Sequence, residues 1–249
     1  MPVLGGVSRV VALALAPVLL AQSRKLRRDT PRLPDAALPW HGTVAGTAPP
    51  LRLLVLGDST AAGVGADTQD QALPGHLGRE LAARTGRAVQ WRAVGENGAS
   101  SHDLIERYLD DATSESYDVV FVSVGANDAL GIRSRSAFAR DIRSLLTRLR
   151  AANPDAVILV SSLPAFFRFE LLPQPLKWNL YLHSTSLEAA ARRVVAEMPG
   201  VHMSPPPPPY TEGFFATDQF HPSAQGYREW AQFAIDDAVA TEVLRFDRA

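Results

Sequence analysis

The sequence contains no cysteine among its 249 residues. This absence excludes disulfide bonds, a thiolate nucleophile and zinc sites built on cysteine ligands. The chain also lacks a charge excess of one sign, because 25 basic and 26 acidic side chains leave a formal charge of −1. Nothing in the overall charge therefore favours nucleic acid as a partner.

The common cofactor signatures are missing as well. Neither G-x-G-x-x-G nor G-x-x-x-x-G-K-[ST] occurs. Gly57, Gly63 and Gly65 therefore do not indicate a nucleotide-binding site. The histidines other than His221 show no spacing typical of metal ligands: His41, His76, His102, His183 and His202. We therefore expect no metal ion and no organic cofactor.

The first 28 residues differ from the rest of the chain. An apolar stretch over 3–21 precedes a basic cluster over 24–28, and residues 1–50 carry six basic and two acidic side chains. We expect residues 1–28 to be an apolar anchor or signal-like segment that associates with a membrane. Because the basic cluster follows the apolar stretch, the cytoplasmic face is favoured over secretion. The alternative is an N-terminal helix packed on the domain.

A linker and one folded domain are predicted to follow. Residues 29–50 are rich in proline, alanine and glycine and are interpreted as the linker, and 51–249 as the domain. In the domain, strand-length apolar runs at 51–56, 88–94, 118–124, 156–161 and 201–203 alternate with helical patterns at 73–85, 101–112, 136–152, 184–197 and 223–244. This alternation predicts an α/β domain whose parallel sheet is covered on both faces.

Polar sequences follow four of the predicted strands. They are Gly57–Thr60, Gly95–Ser100, Gly125–Asp128 and, beyond a proline run, Asp218–Pro222. Open parallel sheets bind ligands beyond the carboxyl ends of their strands. We therefore expect these four loops to meet at one edge of the sheet.

These loops carry the residue types of acyl-transfer chemistry. Ser59 needs an oriented histidine to remove its proton, and His221 with Asp218 three residues earlier supplies one. A structural alternative for Ser59 is a helix N-cap. The chain has no G-x-S-x-G elbow, which argues against the usual α/β-hydrolase arrangement.

An oxyanion also needs hydrogen-bond donors. The candidates are the backbone N–H of Ser59, the backbone N–H of Gly98 and the side-chain amide of Asn127. Gly95 is the rival of Gly98 for this role.

The set GDST, ENGAS, GAND and D-x-x-H resembles the four motif blocks of the SGNH or GDSL hydrolase superfamily, in order over residues 51–230. The resemblance implies that Ser59 is the nucleophile, that Asp218 and His221 complete the triad, and that Gly98 and Asn127 complete the oxyanion hole. It also implies a three-layer α/β/α flavodoxin-like domain, for which we expect five parallel strands in the order 2-1-3-4-5. Thr60 departs from the leucine of the family motif, and the second block lacks an asparagine several residues before its glycine.

The substrate is less well defined. The apolar, aromatic segment 163–182 is interpreted as a lid or acyl-pocket wall whose substrate-facing side chains are Phe166, Phe167, Phe169, Leu172 and Trp178. We expect a serine esterase or lipase that acts on a small-molecule acyl ester, either lipid-like or of medium to short chain. The alternatives are a carbohydrate O-acetylesterase, an acyltransferase on the same triad, or a catalytically silent binding module.

Overall fold

The structure, a computed structural model, describes residues 4–244. Its centre is a six-stranded sheet in the order β1-β3-β2-β4-β5-β6. The strands are β1 (His41–Val44), β2 (Thr47–Gly57), β3 (Arg87–Gly95), β4 (Val119–Ser123), β5 (Val157–Val160) and β6 (Val201–Met203). Strands β2 to β6 are all paired in parallel, and their order confirms the predicted 2-1-3-4-5 arrangement of five strands.

Helices cover both faces of this sheet. They are α1 (Leu4–Ala14), α2 (Ala16–Asp29), α3 (Leu73–Thr85), α4 (Ser101–Asp103), α5 (Leu109–Ala112), α6 (Ala126–Leu130), α7 (Arg135–Ala152), α8 (Leu176–Ala196) and α9 (Ala224–Ala240). A π-helical segment, Leu104–Tyr108, joins α4 to α5, and a 3₁₀ turn spans Phe166–Arg168. The mixed α/β architecture with a mostly parallel central sheet is therefore as predicted.

The central strand β2 shows why two helical layers form. Successive side chains of a strand point to opposite faces of the sheet, so an uninterrupted apolar strand needs cover on both sides. Leu53 and Val55 belong to the apolar cluster that contains residues of α3 and α9. Leu54 and Leu56 belong to the opposite cluster, which contains residues of α7 and α8.

The range 29–50 is not wholly a linker. Residues His41–Val44 form β1, which pairs antiparallel with β3 at the sheet edge, so the sheet has six strands and not five. The strand is short, and its residues alternate between exposed and half-buried, so it lacks the apolar run that marks the other strands. An edge strand can be this polar because only one side of it pairs.

Helix α8 begins earlier than expected. It starts at Leu176, directly after Pro175, whereas the sequence pattern predicted a helix over 184–197. Pro175 is the N-cap residue and precedes the first turn, so its missing N–H removes no intrahelical hydrogen bond. Residues 176–182 of the segment 163–182 are therefore helix.

The N-terminal helices pack on the domain. Leu19 of α2 is buried in the same apolar cluster as Leu172, Leu176 and Leu180. Within residues 4–244, no helix combines the length and the apolarity that crossing a membrane requires. The described part of the N-terminal segment forms α1 and α2, and residues 1–3 lie outside the described range.

Candidate active site

Three of the four polar loops begin at the same edge of the sheet, where β2, β3 and β4 end side by side. Gly57, the last residue of β2, is aligned with Gly95 at the end of β3 and with Ser123 at the end of β4. The segments that carry Ser59, Gly98 and Asn127 therefore start side by side. This register confirms the expectation that these loops meet at one edge of the sheet.

Ser59 lies in a tight turn anchored by its neighbours. The backbone N–H of Asp58 donates to the carbonyl of Ser123 (3.1 Å), and the N–H and hydroxyl of Thr60 both donate to Asp58 Oδ1 (3.1 and 3.2 Å). The Thr60 hydroxyl also lies 2.8 Å from Ser123 Oγ. Ser59 itself retains 8% of its surface and does not begin a helix, so the N-cap interpretation does not apply.

Asp58 is buried beneath this turn. Burial raises its pKa from 3.8 to about 6, although the hydrogen bonds from Thr60 and the proximity of His221 lower it. No positively charged side chain forms an ion pair with it among the described residues. The carboxyl of Asp58 is thus a structural acceptor that holds the turn around Ser59.

Asp218 and His221 form the expected pair. His221 Nδ1 lies 2.6 Å from Asp218 Oδ2, and Asp218 Oδ1 accepts the backbone N–H groups of Phe220 and His221 at 3.0 Å each. Burial alone would raise the pKa of Asp218, but these hydrogen bonds, led by that of the imidazole, hold it below its ordinary value. An ionised carboxylate fixes the imidazole so that its Nε2 is free to accept a proton.

The chain after His221 fixes the loop further. Ser223 caps α9 by accepting the N–H of Gly226. The carbonyl of His221 accepts the N–H of Ala216 (2.8 Å), which closes the loop on itself. His221 is therefore held on both sides by backbone hydrogen bonds.

Two further residues tie the serine loop to the histidine loop. The hydroxyl of Tyr227, a fully buried residue of α9, donates to the carbonyl of Val64 at 2.7 Å. A Cβ at Gly65 would lie 2.2 Å from the carbonyl oxygen of Pro222, so only glycine allows the two loops to approach this closely. The sequence analysis missed both residues, because Tyr227 and Gly65 carry no motif and owe their roles to contacts across the fold.

Asn127 lies at the same edge, at the start of α6. Its Nδ2 donates to the carbonyl of Ala99 (3.0 Å) and lies 3.5 Å from Asp58 Oδ2. The next residue, Asp128, is buried and accepts both the N–H and the hydroxyl of Ser101 (2.9 and 2.7 Å). Asp128 thus joins α6 to the loop that contains Gly98, which places Asn127 beside that loop.

The structure distinguishes the two glycines proposed for the oxyanion hole. A Cβ at Gly95 would lie 1.8 Å from the carbonyl oxygen of Gly57, so Gly95 is needed for the close approach of β2 and β3. Gly98 has a φ of +90° and open space where a Cβ would lie. Gly98 is exposed in the loop and so has room for a ligand, whereas Gly95 serves strand packing.

A cavity of about 150 Å³ lies between the serine loop and the histidine loop. Both Ser59 and His221 line it. Aromatic side chains form much of its wall: Phe169, Tyr210, Phe214, Phe215, Phe220 and Trp230. Among residues 4–244, no hydrogen bond joins Ser59 Oγ to the imidazole. The described residues also contain no cluster of three or more histidine, aspartate or glutamate side chains able to hold a metal ion.

The predicted acyl-pocket residues separate into two groups. Phe169 lines this cavity, and Leu172 lines a second cavity beyond His221. The other three do not face substrate space, and this part of the prediction is corrected. Phe166 is fully buried in the core, while Phe167 and Trp178 are 47% and 55% exposed on the outer surface. Both exposed rings pack against Tyr181 of α8.

Comparison with known proteins identifies the family. The sequence profile of the GDSL-like Lipase/Acylhydrolase family matches residues 55–229, so the chain belongs to that family. It is 28% identical over 187 residues to a GDSL-like esterase of Mycobacterium tuberculosis, which covers 71% of this chain. The matched region spans 58% of the length of that relative.

Solved structures share the fold. A lipase from a goat rumen metagenome superposes with a TM-score of 0.59 at 16% identity, over 75% of this chain and 97% of its own. A family 3 carbohydrate esterase from Clostridium thermocellum gives a TM-score of 0.57 at 15% identity, over 77% and 96%. Because lipid and carbohydrate esterases have the same architecture, the fold does not identify the substrate.

Proposed function

We propose that the protein hydrolyses carboxylic esters, with Ser59 as nucleophile, His221 as general base and Asp218 as the group that orients His221. The observation that carries this proposal is the 2.6 Å contact between His221 Nδ1 and Asp218 Oδ2, beside a cavity that Ser59 and His221 both line. Membership of a lipase and acylhydrolase family supports the same reaction class.

The reaction proceeds in two steps. His221 Nε2 removes the proton of the Ser59 hydroxyl while Oγ attacks the ester carbonyl, and the imidazolium returns that proton to the departing alcohol. The resulting acyl-enzyme is then attacked by water, which His221 deprotonates, and Ser59 regains its proton as the acid leaves. Asp218 stabilises the imidazolium that forms in each step. Ser59 and His221 approach each other when substrate binds, as catalytic groups of ligand-free enzymes commonly do.

The oxyanion requires donors already in place. We assign this role to the backbone N–H groups of Ser59 and Gly98 and to the amide of Asn127. Asn127 exchanges its contact with Ala99 for the oxyanion, so its donor is kept near the reacting atoms between turnovers. Each donor of this kind contributes roughly 10²–10³ to the rate.

The substrate we propose is an apolar ester. The cavity beside Ser59 is enclosed by aromatic rings and by Pro207 to Pro209. Such a wall favours hydrocarbon over the hydroxyl groups of a sugar, whose buried polar atoms would lack partners.

The test compares hydrolysis of p-nitrophenyl esters from acetyl to dodecanoyl by the wild type and by Ser59→Ala. The expected result is hydrolysis by the wild type and a loss of about 10⁵-fold or more in kcat in the variant, because the nucleophile is absent. Ser162→Ala is the matched control, since Ser162 lines the same cavity without a role in the proposed chemistry. That control is expected to stay within about tenfold of the wild type.

Each of three results would overturn part of the proposal. Activity that survives Ser59→Ala would show that another group is the nucleophile. A wild type inert on every chain length but active on acetylated sugars would replace the apolar substrate with a carbohydrate ester. Transfer of the acyl group to an added alcohol in preference to water would make the protein an acyltransferase on the same residues.

A further inference from the structure

Helix α2 is attached to the domain by specific contacts. Gln22 Nε2 donates to the carbonyl of Gln174 (2.6 Å), and Gln22 Oε1 accepts the N–H of Leu176 (3.2 Å). Leu19, only 8% exposed, inserts into the apolar cluster of the domain. These contacts place α2 over the start of α8.

A cavity of about 700 Å³ lies beneath these helices. Most of its lining is aliphatic, with Leu19 and Leu26 from α2 and Ile132, Leu172, Leu176 and Leu180 from the domain. Three arginines, Arg9, Arg27 and Arg32, are the charged side chains that the N-terminal region adds to it. The volume falls within the range typical of ligand-binding pockets.

This cavity reaches the proposed catalytic residues. Asp218, Phe220 and His221 form part of its wall, and Phe220 and His221 also line the smaller cavity that contains Ser59. Asn97, which precedes the proposed oxyanion glycine, lines it as well. A ligand bound in the larger cavity therefore ends next to the reacting centre.

We propose that α1 and α2 form one wall of a binding site for a long, unbranched acyl chain, and that this N-terminal segment sets the chain-length preference of the enzyme. The inference rests on the proposed function. An aliphatic lining excludes polar groups that lack partners, whereas a hydrocarbon chain buries its surface there favourably. The apolar residues of the segment that line the cavity thus face substrate.

The proposal predicts a gradient in chain length. Each buried methylene is worth about 0.8 kcal/mol, which corresponds to about a fourfold increase in kcat/KM for every carbon added while the chain still fits. A side chain that fills part of the cavity displaces methylenes and reduces this gain selectively for long esters.

The test uses two alanines of α2. Ala16 lines the cavity, whereas Ala21 is exposed and does not belong to its lining. In Ala16→Phe, the ratio of kcat/KM for the dodecanoyl ester to that for the acetyl ester is expected to fall about tenfold or more, because a phenyl ring displaces roughly two methylenes. In the matched control Ala21→Phe, the ratio is expected to match that of the wild type.

A binding measurement makes the test independent of turnover. The affinity for dansylaminoundecanoic acid, followed by dansyl fluorescence, is expected to weaken about tenfold in Ala16→Phe and not in Ala21→Phe. Thermal unfolding shows whether each variant is folded. If Ala16→Phe is not, Ser23→Phe on the same lining is used with the same expectation.

The outcomes separate the two proposals. Equal ratios and equal affinities in both variants would overturn the acyl-chain site, even if hydrolysis still depends on Ser59. Hydrolysis that persists in Ser59→Ala, or a wild type without esterase activity, would overturn the proposed function, while the probe affinities would still decide whether the cavity binds acyl chains.

Discussion

Two aspartates, each close in sequence to a proposed catalytic residue, have opposite electrostatic character. Asp58 precedes Ser59 and has its pKa raised to about 6, mainly by burial. Asp218 precedes His221 by three residues, and its pKa lies below the ordinary value because hydrogen bonds outweigh burial. Both side chains are almost completely shielded from solvent.

The difference lies in what each carboxyl contacts. Asp218 accepts from an imidazole and two backbone N–H groups, all of which favour its charged form. Asp58 accepts from Thr60 at two atoms and from Asn127 only at 3.5 Å, and these contacts do not offset its burial. Charge is thus stabilised where the proposed mechanism needs it, and the carboxyl beside the proposed nucleophile is a packing and hydrogen-bonding element.

The largest effect is expected from Asp218→Asn. An amide at this position cannot stabilise the imidazolium and favours the wrong tautomer of His221, so kcat should fall about 10⁴-fold. The measurement is kcat on the best p-nitrophenyl ester, with a thermal scan to confirm that the variant is folded. A loss smaller than tenfold in a folded variant would contradict the role assigned to Asp218.

A smaller effect is expected on the serine side, from Asn127→Ala. Removing one oxyanion donor should lower kcat about 10²–10³-fold while KM changes little, because the donor acts mainly in the transition state. Steady-state kinetics separate the two parameters. A rise in KM with kcat unchanged would show instead that Asn127 binds the ground state of the substrate.

The smallest effect on catalysis is expected from Asp58→Asn, which should keep kcat within about tenfold of the wild type. Its effect should be on stability. A carboxyl whose pKa rises from 3.8 to about 6 on folding destabilises the native state by about 3 kcal/mol as pH rises through that interval. Below pH 3.8 the carboxyl is protonated in both states and contributes nothing.

Asp218 contributes with the opposite sign. Because its pKa is lowered on folding, its stabilising contribution is present above the unfolded value of 3.8 and is lost as pH falls through the folded one.

The test of Asp58 uses urea titrations between pH 4 and 7. Because the ionised Asp58 carboxyl destabilises the wild type, Asp58→Asn should show a shallower decline in unfolding free energy with rising pH. Parallel pH profiles in the two proteins would refute the account of Asp58.

The sequence predicted the parts of the fold that local patterns encode. The apolar runs of β2 to β6 follow from burial on both faces, and the strand-end motifs follow from the geometry of parallel sheets. Strand β1 was missed because an edge strand carries no such run. The start of α8 was misplaced because the apolar, aromatic segment 163–182 was interpreted as a lid or pocket wall, whereas its last residues form the first turns of the helix.

The site was predicted as far as its chemistry shows in residue types. Ser59, Asn127, Asp218 and His221 stand in recognisable motifs, and their roles remain predictions until activity is measured. The contacts of Tyr227 and Gly65, by contrast, depend on which loops the fold brings together. Association of residues 1–28 with a membrane likewise remains a prediction, although the inner face of α2 contacts the domain.

The most direct test of the central claim is labelling by a fluorophosphonate probe, followed by peptide mapping. The account predicts one covalent adduct, on Ser59, with a rate of formation that falls sharply in His221→Ala because the serine then lacks its base. An adduct on another serine, or equally fast labelling of Ser59 without His221, would contradict the assignment of Ser59 and His221 as nucleophile and base.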